Sequence, residues 1–254
     1  MGFVQSVCDY SLFVLSKQDV FIVLLVYVDD IVVTGNNKTE IEIVKTSLRE
    51  NFQIKDLGLL RHFLGIEVLY SDNCICLSQR KYCLELFNEC GYLGCKPVTT
   101  PNEQSFLVAN KCEKDQKVLK NVNGFQRLTG KLLYLSLTRP DISYTVQFLS
   151  QYMHSPCQSH LDIALRLLRY LKLSPGKGVS IKKSSMVMSG FVDSEWAKCL
   201  KTRRSVTGYG IFFGRDTSFL EKQETKCNFQ INYRKLSTEL CAQLPAKLCG
   251  YLMF

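Results

Sequence analysis

Asp29 and Asp30 stand side by side directly after Val20–Val28, an unbroken apolar run. Carboxylates are hard oxygen donors. They suit Mg²⁺, which binds through one or two carboxylates together with substrate phosphates. Two such ions can clamp both oxygens of an in-line phosphoryl transfer. Aspartate is also a common turn residue, so a plain solvated turn competes for the same pair. The second group able to do chemistry is basic. Arg166, Arg169 and Lys172 fall three apart on one face of a segment whose Leu161, Ala164, Leu165, Leu168 and Leu171 form an apolar stripe. From residue 160 to 215 there are eleven basic residues and three acidic ones, a net +8 in a chain of +9. Charge at that density suits a phosphate backbone, which is bound through counterion release. A scatter of solvated surface cations is the alternative.

The elements that must position these residues are legible in part. Phe21 to Tyr27 is β-branched, aliphatic or aromatic throughout, as in a strand buried on both faces. "IVVTG" is a second apolar run, and "VDD" between the two has the length of a tight hairpin turn. The aspartates are therefore expected at a hairpin tip. Asn37 and Glu40 are spaced as a capping box before Ile41, Val44, Leu48 and Phe52, which recur at helical spacing. "FLGIEV" (63–68) and "CICLSQ" (74–79) predict strands, and "RKYCLELFNECG" (80–91) a helix stopped by Gly91. Strand, strand, helix, strand, strand, helix implies an α+β unit with an antiparallel sheet. The polar stretch 101–124 reads as a linker. Helices are expected over 125–138, 141–153 and 159–172, the last opened by Ser159 and Asp162.

Composition bounds the reading. The chain has 254 residues, 46% hydrophobic and 22% charged, enough for one large domain or two ordinary ones. Its twelve cysteines, in so long a chain with no secretory leader, read as reduced thiols. Cys74 and Cys76 are too close for a zinc ribbon, and His62, His154 and His160 have no pattern with cysteine. The run Val20–Val28 falls short of the roughly 20 residues a bilayer requires. An intracellular protein, cytoplasmic or nuclear and with no membrane partner, is expected. The opening "MGFVQS" fits the loose myristoylation pattern, which short sequences match by accident.

Six stretches carry a resemblance: "YVDDIVVTG", "FQIKDLGLLRHFLGIEV", "LSQRKYCLELFNECGYLGCKPVTTP", "LTGKLLYLSLTRPDISYTVQFLSQYMHSP", "LRYLK" and "DSEWAKCLKTRRSVTGYGIFFG". Their order and spacing over residues 3–215 resemble the Pol polyprotein of copia-type LTR retrotransposons. The resemblance implies an α+β chain: a partial reverse-transcriptase palm and thumb with an antiparallel sheet (1–100), a linker (101–124), a helical connection (125–184) and an incomplete ribonuclease H-like α/β domain (185–254). It implies that Asp29 and Asp30 hold catalytic Mg²⁺ beside a primer end, and that Tyr27 lies under the nucleic acid. Lys55 falls where polymerases often place a lysine near the leaving pyrophosphate; its alternative is a solvated lysine after a helix. The partner implied is an RNA–DNA hybrid, tracked by Arg166, Arg169 and Lys172. The resemblance leaves the oligomeric state open.

The same resemblance implies a second carboxylate site. "MVMSGFVDSEW" (186–196) predicts a strand and "SVTGYGIFFG" (205–214) the next. Asp193 matches the first catalytic and metal-binding aspartate of a ribonuclease H. Glu239, in "STELCAQL", is the nearest match to the second carboxylate, although Asn232-Tyr233-Arg234 is a rival alignment and Pro245 interrupts the helix. The family's third polymerase aspartate, its fingers and a later ribonuclease H aspartate have no counterpart in this sequence. The expectation is a polymerase and ribonuclease H remnant, inactive alone. The alternatives are a noncatalytic nucleic-acid-binding remnant and a subunit completed by another chain.

Overall fold

Apolar runs along Leu12–Lys17 and Val20–Tyr27 build the first sheet. A computed structural model describes residues 2–103, 118–182, 188–195, 206–213 and 217–224. They divide into two compact units after Leu60. In the first, β1 (Val4–Gln5), β2 (Leu12–Lys17), β3 (Val20–Tyr27) and β4 (Asp30–Gly35) form an antiparallel meander in sequence order. Lys17 pairs with Val20 and Tyr27 with Asp30, so two-residue turns join β2 to β3 and β3 to β4. On one face Leu15, Ile22 and Leu24 pack with Val44 of α1 (Lys38–Asn51). On the other, Leu12, Val23, Leu25 and Val32 are buried too, so β3 is buried on both faces, as its continuous run predicts. Asn37 caps α1, accepting from the Thr39 and Glu40 amides at 3.0 and 3.2 Å. Phe52 is not part of the helical stripe: it follows the helix in an extended conformation and is 61% exposed.

The second unit joins a sheet to a helical core. β5 (His62–Phe63), β6 (Ile66–Tyr70) and β7 (Cys74–Ser78) lead into α2 (Arg80–Glu89). α3 (Val122–Leu135), a 3₁₀ turn (Pro140–Ile142), α4 (Ser143–Ser150) and α5 (Gln158–Leu173) follow. The chain then returns as β8 (Val179–Lys182), which pairs antiparallel with β7 and completes the order β5-β6-β7-β8. The return is tight: a Cβ on Gly178 would lie 2.0 Å from the Leu77 carbonyl oxygen. Leu86 and Phe87 of α2 share one core with Phe125, Leu149 and Leu168. The boundary expected at residue 100 thus separates residues that pack together. β9 (Met188–Glu195), β10 (Val206–Phe213) and β11 (Thr217–Glu224) form a separate antiparallel sheet in the order β11-β10-β9.

Several expected boundaries move for local reasons. "FLGIEV" is not one strand. Leu64 and Gly65 have φ of +48° and +75° and make a two-residue turn between β5 and β6. α3 starts inside the expected linker, because the Asn121 side chain accepts from the Gly124 amide at 2.8 Å and caps it there. The helix expected over 141–153 is shorter, running from 143 to 150 after the 3₁₀ turn. α5 is capped by Cys157, not Ser159: the Cys157 amide donates to Nδ1 of buried His160 at 2.9 Å. Asp162 instead accepts from Gln158 at 2.9 Å. Burial pushes the Cys83 thiol up to about 11, so it stays protonated at neutral pH.

The helical core is pinned by a charge that is almost wholly buried. Arg139 is 2% exposed. Its Nε and Nη2 donate to the two carboxylate oxygens of Asp141 at 2.9 and 2.8 Å, and Nη1 donates to the Ser174 carbonyl at 2.9 Å. The Tyr170 hydroxyl donates to Asp141 at 2.7 Å, and Lys177 lies 3.5 Å from the same oxygen. One cluster thereby ties the end of α3 to the end of α5 and the approach to β8. Burial alone would raise the Asp141 pKa. The hydrogen bonds from Arg139 and Tyr170, with the charges of Arg139 and Lys177, outweigh it and hold the group at about 2.

Arg139→Ala removes the bidentate partner of a half-buried carboxylate and is expected to cost about 3 kcal/mol in urea unfolding. Because the folded pKa of Asp141 is depressed, its stabilisation is present above about pH 4 and is lost as pH falls towards 2. The loss should amount to about 2 kcal/mol. Asp141→Asn should flatten that part of the acid-unfolding curve.

Candidate catalytic hairpin and nucleic-acid interface

The β3–β4 turn carries the paired aspartates. Val28 and Asp29 are the two turn residues, and Asp30 opens β4 opposite Tyr27. Both carboxylates are exposed, as is the tip as a whole: Tyr27 is 49% and Val28 83% exposed. Directly below, Ile22 to Leu25 are buried, so the tip stands on a fixed base. Tyr27 and Asp30, being a cross-strand pair, share the sheet face of Leu25 and Val32, which is opposite to the face that α1 covers. Val28 has φ of +49°. That is a strained conformation for a β-branched residue, and it is imposed by the register on either side. Sequence reasoning missed this strain; a β-branched residue in a two-residue turn ahead of Asp was the available signal.

The donor chemistry fits Mg²⁺: two adjacent oxygen ligands at an exposed tip, with room for phosphates and water to complete the shell. Among the described residues no third His, Cys, Asp or Glu joins them in a metal-binding group. Lys55 is exposed in the segment after α1. Its neighbour Asp56 organises that segment, accepting from the Gly58 amide at 2.8 Å and lying 3.2 and 2.9 Å from Lys45 and Arg49. The Gly58 amide and the Lys45 ammonium hold the Asp56 carboxyl below its ordinary pKa.

Arg166, Arg169 and Lys172 do project from one side of α5, in the second unit, but they are not an open ridge. Arg166 lies 2.7 Å from Glu103 and donates to the Thr100 hydroxyl at 3.0 Å. Arg169 donates to the Lys96 carbonyl at 2.9 Å, and Lys172 to the Leu93 carbonyl. Asp193 lies on β9 opposite Gly208 of β10. Glu239 lies outside the described residues.

Residues 1–104 match the family described as reverse transcriptase (RNA-dependent DNA polymerase). An uncharacterized mitochondrial protein of Arabidopsis thaliana is 41% identical over 192 residues, covering 75% of this chain and 78% of that protein. The retrovirus-related Pol polyprotein from transposon RE1 of the same plant is 36% identical over 93% of this chain.

The chain belongs to the copia-type retrotransposon Pol family.

This Pol chain spans 16% of the length of the RE1 polyprotein. It is also 30% identical to a putative transposon Ty5-1 protein of Saccharomyces cerevisiae, over 82% of this chain and 68% of that one. No solved structure matches it. Among its described residues no helix is long and apolar enough to cross a membrane. Val28→Gly should relieve the turn strain at a modest cost in unfolded-state entropy. A net gain of about 1 kcal/mol in denaturant unfolding is expected; a loss would show that the Val28 conformation is unstrained.

Proposed function

We propose that this Pol chain carries the C-terminal part of a reverse transcriptase, its palm hairpin and thumb-like region, that it binds an RNA–DNA hybrid, and that it polymerises nothing by itself. The observation that carries the reading is the exposed Asp29-Asp30 tip on a rigid hairpin, with no third ligand beside it among the described residues. Asp29 and Asp30 would hold Mg²⁺ together with nucleotide phosphates, and Tyr27 would support the primer end from the same face as Asp30. Bound Mg²⁺ would supply charge stabilisation for in-line phosphoryl transfer. A polymerase site also requires its remaining ligand and a surface to hold the incoming nucleotide. A second polypeptide could supply both.

The β11-β10-β9 meander, with Asp193 on its first strand, supports reading residues 185–254 as an incomplete ribonuclease H-like domain. Hybrid-RNA cleavage would require at least one further carboxylate beside Asp193. Phosphate binding requires only charge density, which the net +8 between residues 160 and 215 supports.

The full chain should give no primer extension on an RNA template with Mg²⁺ or Mn²⁺. Extension that disappears in Asp29→Asn would sink the proposal. An RNA–DNA hybrid should be retained at low salt, released as salt rises, and stay uncut with Mg²⁺. Cleavage abolished by Asp193→Asn would show a complete second site.

A further inference from the structure

We infer that residues 93–103 are a displaceable strap over a phosphate-binding ridge, because Arg166, Arg169 and Lys172 of α5 hold that segment through groups a nucleic-acid backbone would replace. The inference rests on the reading that the chain binds nucleic acid.

The strap runs antiparallel to α5. Lys172 reaches Leu93, Arg169 reaches Lys96, and Arg166 reaches Thr100 and Glu103. The Val98 amide adds one main-chain bond, donating to the Arg169 carbonyl at 3.3 Å. Successive cations on the helix are about 4.5 Å apart along its axis, so the three form a short line of positive charge. None of residues 93–103 is buried. The strap is therefore held by polar contacts at the surface and not by a share of the core. Segments of that kind open at low free energy.

Its contacts also leave the ridge short of negative charge. Among the described residues, three cations meet two neutral carbonyls, one hydroxyl and one carboxylate, and that carboxylate, Glu103, is itself 53% exposed. Arg166 Nε is buried with no hydrogen-bond partner among the described residues. Phosphodiester oxygens carry the charge the carbonyls lack, and guanidinium binds them in a fork. A hybrid lying along α5 would take over the three cations and release the strap. The same strap would shield the ridge from weaker anions.

Backbone amide hydrogen exchange on the full chain tests this, with an RNA–DNA hybrid added at low salt to saturation. Residues 93–103, Val98 above all, should exchange faster with hybrid than without. Glu103→Gln, which removes the competing carboxylate found among the described residues, should bind hybrid roughly two- to fivefold more tightly. Arg166→Ala/Arg169→Ala/Lys172→Ala should expose the strap without hybrid and lower the salt dependence of binding by up to about three phosphate contacts. Hybrid binding with an unchanged or more protected strap overturns this inference and leaves the nucleic-acid reading intact. Absence of hybrid binding at any salt overturns both. Unaltered affinity in Glu103→Gln counts against the strap even where the triple variant does not fold.

Discussion

The second unit depends on keeping one positive charge out of water. Arg139 is 2% exposed, a placement made tolerable by a partner for each nitrogen of its guanidinium. Asp141 takes two of its donors, the Ser174 carbonyl a third, and the Tyr170 ring lies 5.6 Å from its centre. Asp141 is then shared with Tyr170 and Lys177. The cluster lies where α3 turns into the 3₁₀ segment and where α5 gives way to β8, so it sets the angle at which the helices return to the sheet. Apolar packing stabilises the core. The bidentate ion pair adds directional contacts to it.

Hairpins set the position of the paired aspartates in the first unit. The two-residue turns at Gln18-Asp19 and Val28-Asp29 both begin with a residue at positive φ, +48° and +49°. Such turns match the right-handed twist of the strands they join. The aspartates are therefore held by register: shifting β4 by one residue would turn Asp30 and Val32 to the face that α1 covers. Burial of Val32 and Val23 is what forbids that slip.

What the sequence made legible follows from local periodicity. The continuous apolar run of β3, the period of α1 and the apolar stripe of α5 each mark their element, and the aspartate pair falls at a turn as its flanks require. Two of the missed features are long-range. Nothing local in "TRPD" says that Arg139 will be buried, because its partners include a carbonyl and a tyrosine some thirty residues on. Arg166, Arg169 and Lys172 look like a solvated face by spacing alone, since the strap that meets them lies 66 to 79 residues earlier. The split of "FLGIEV" was hidden because Leu64 at positive φ has no compositional signature. The shift of the α5 cap to Cys157 was hidden because cysteine is a rare cap.

The return of β8 to β7 has a consequence for synthesis. Roughly a hundred residues separate Leu77 from its partner Val179. Until the ribosome has released the whole helical segment, β7 has one bare flank, and its main-chain donors and acceptors are open to any strand that passes. The nascent second unit is therefore at its most vulnerable to mispairing while its helices are still being made. β8, only four residues long, acts late as the closure that removes that hazard.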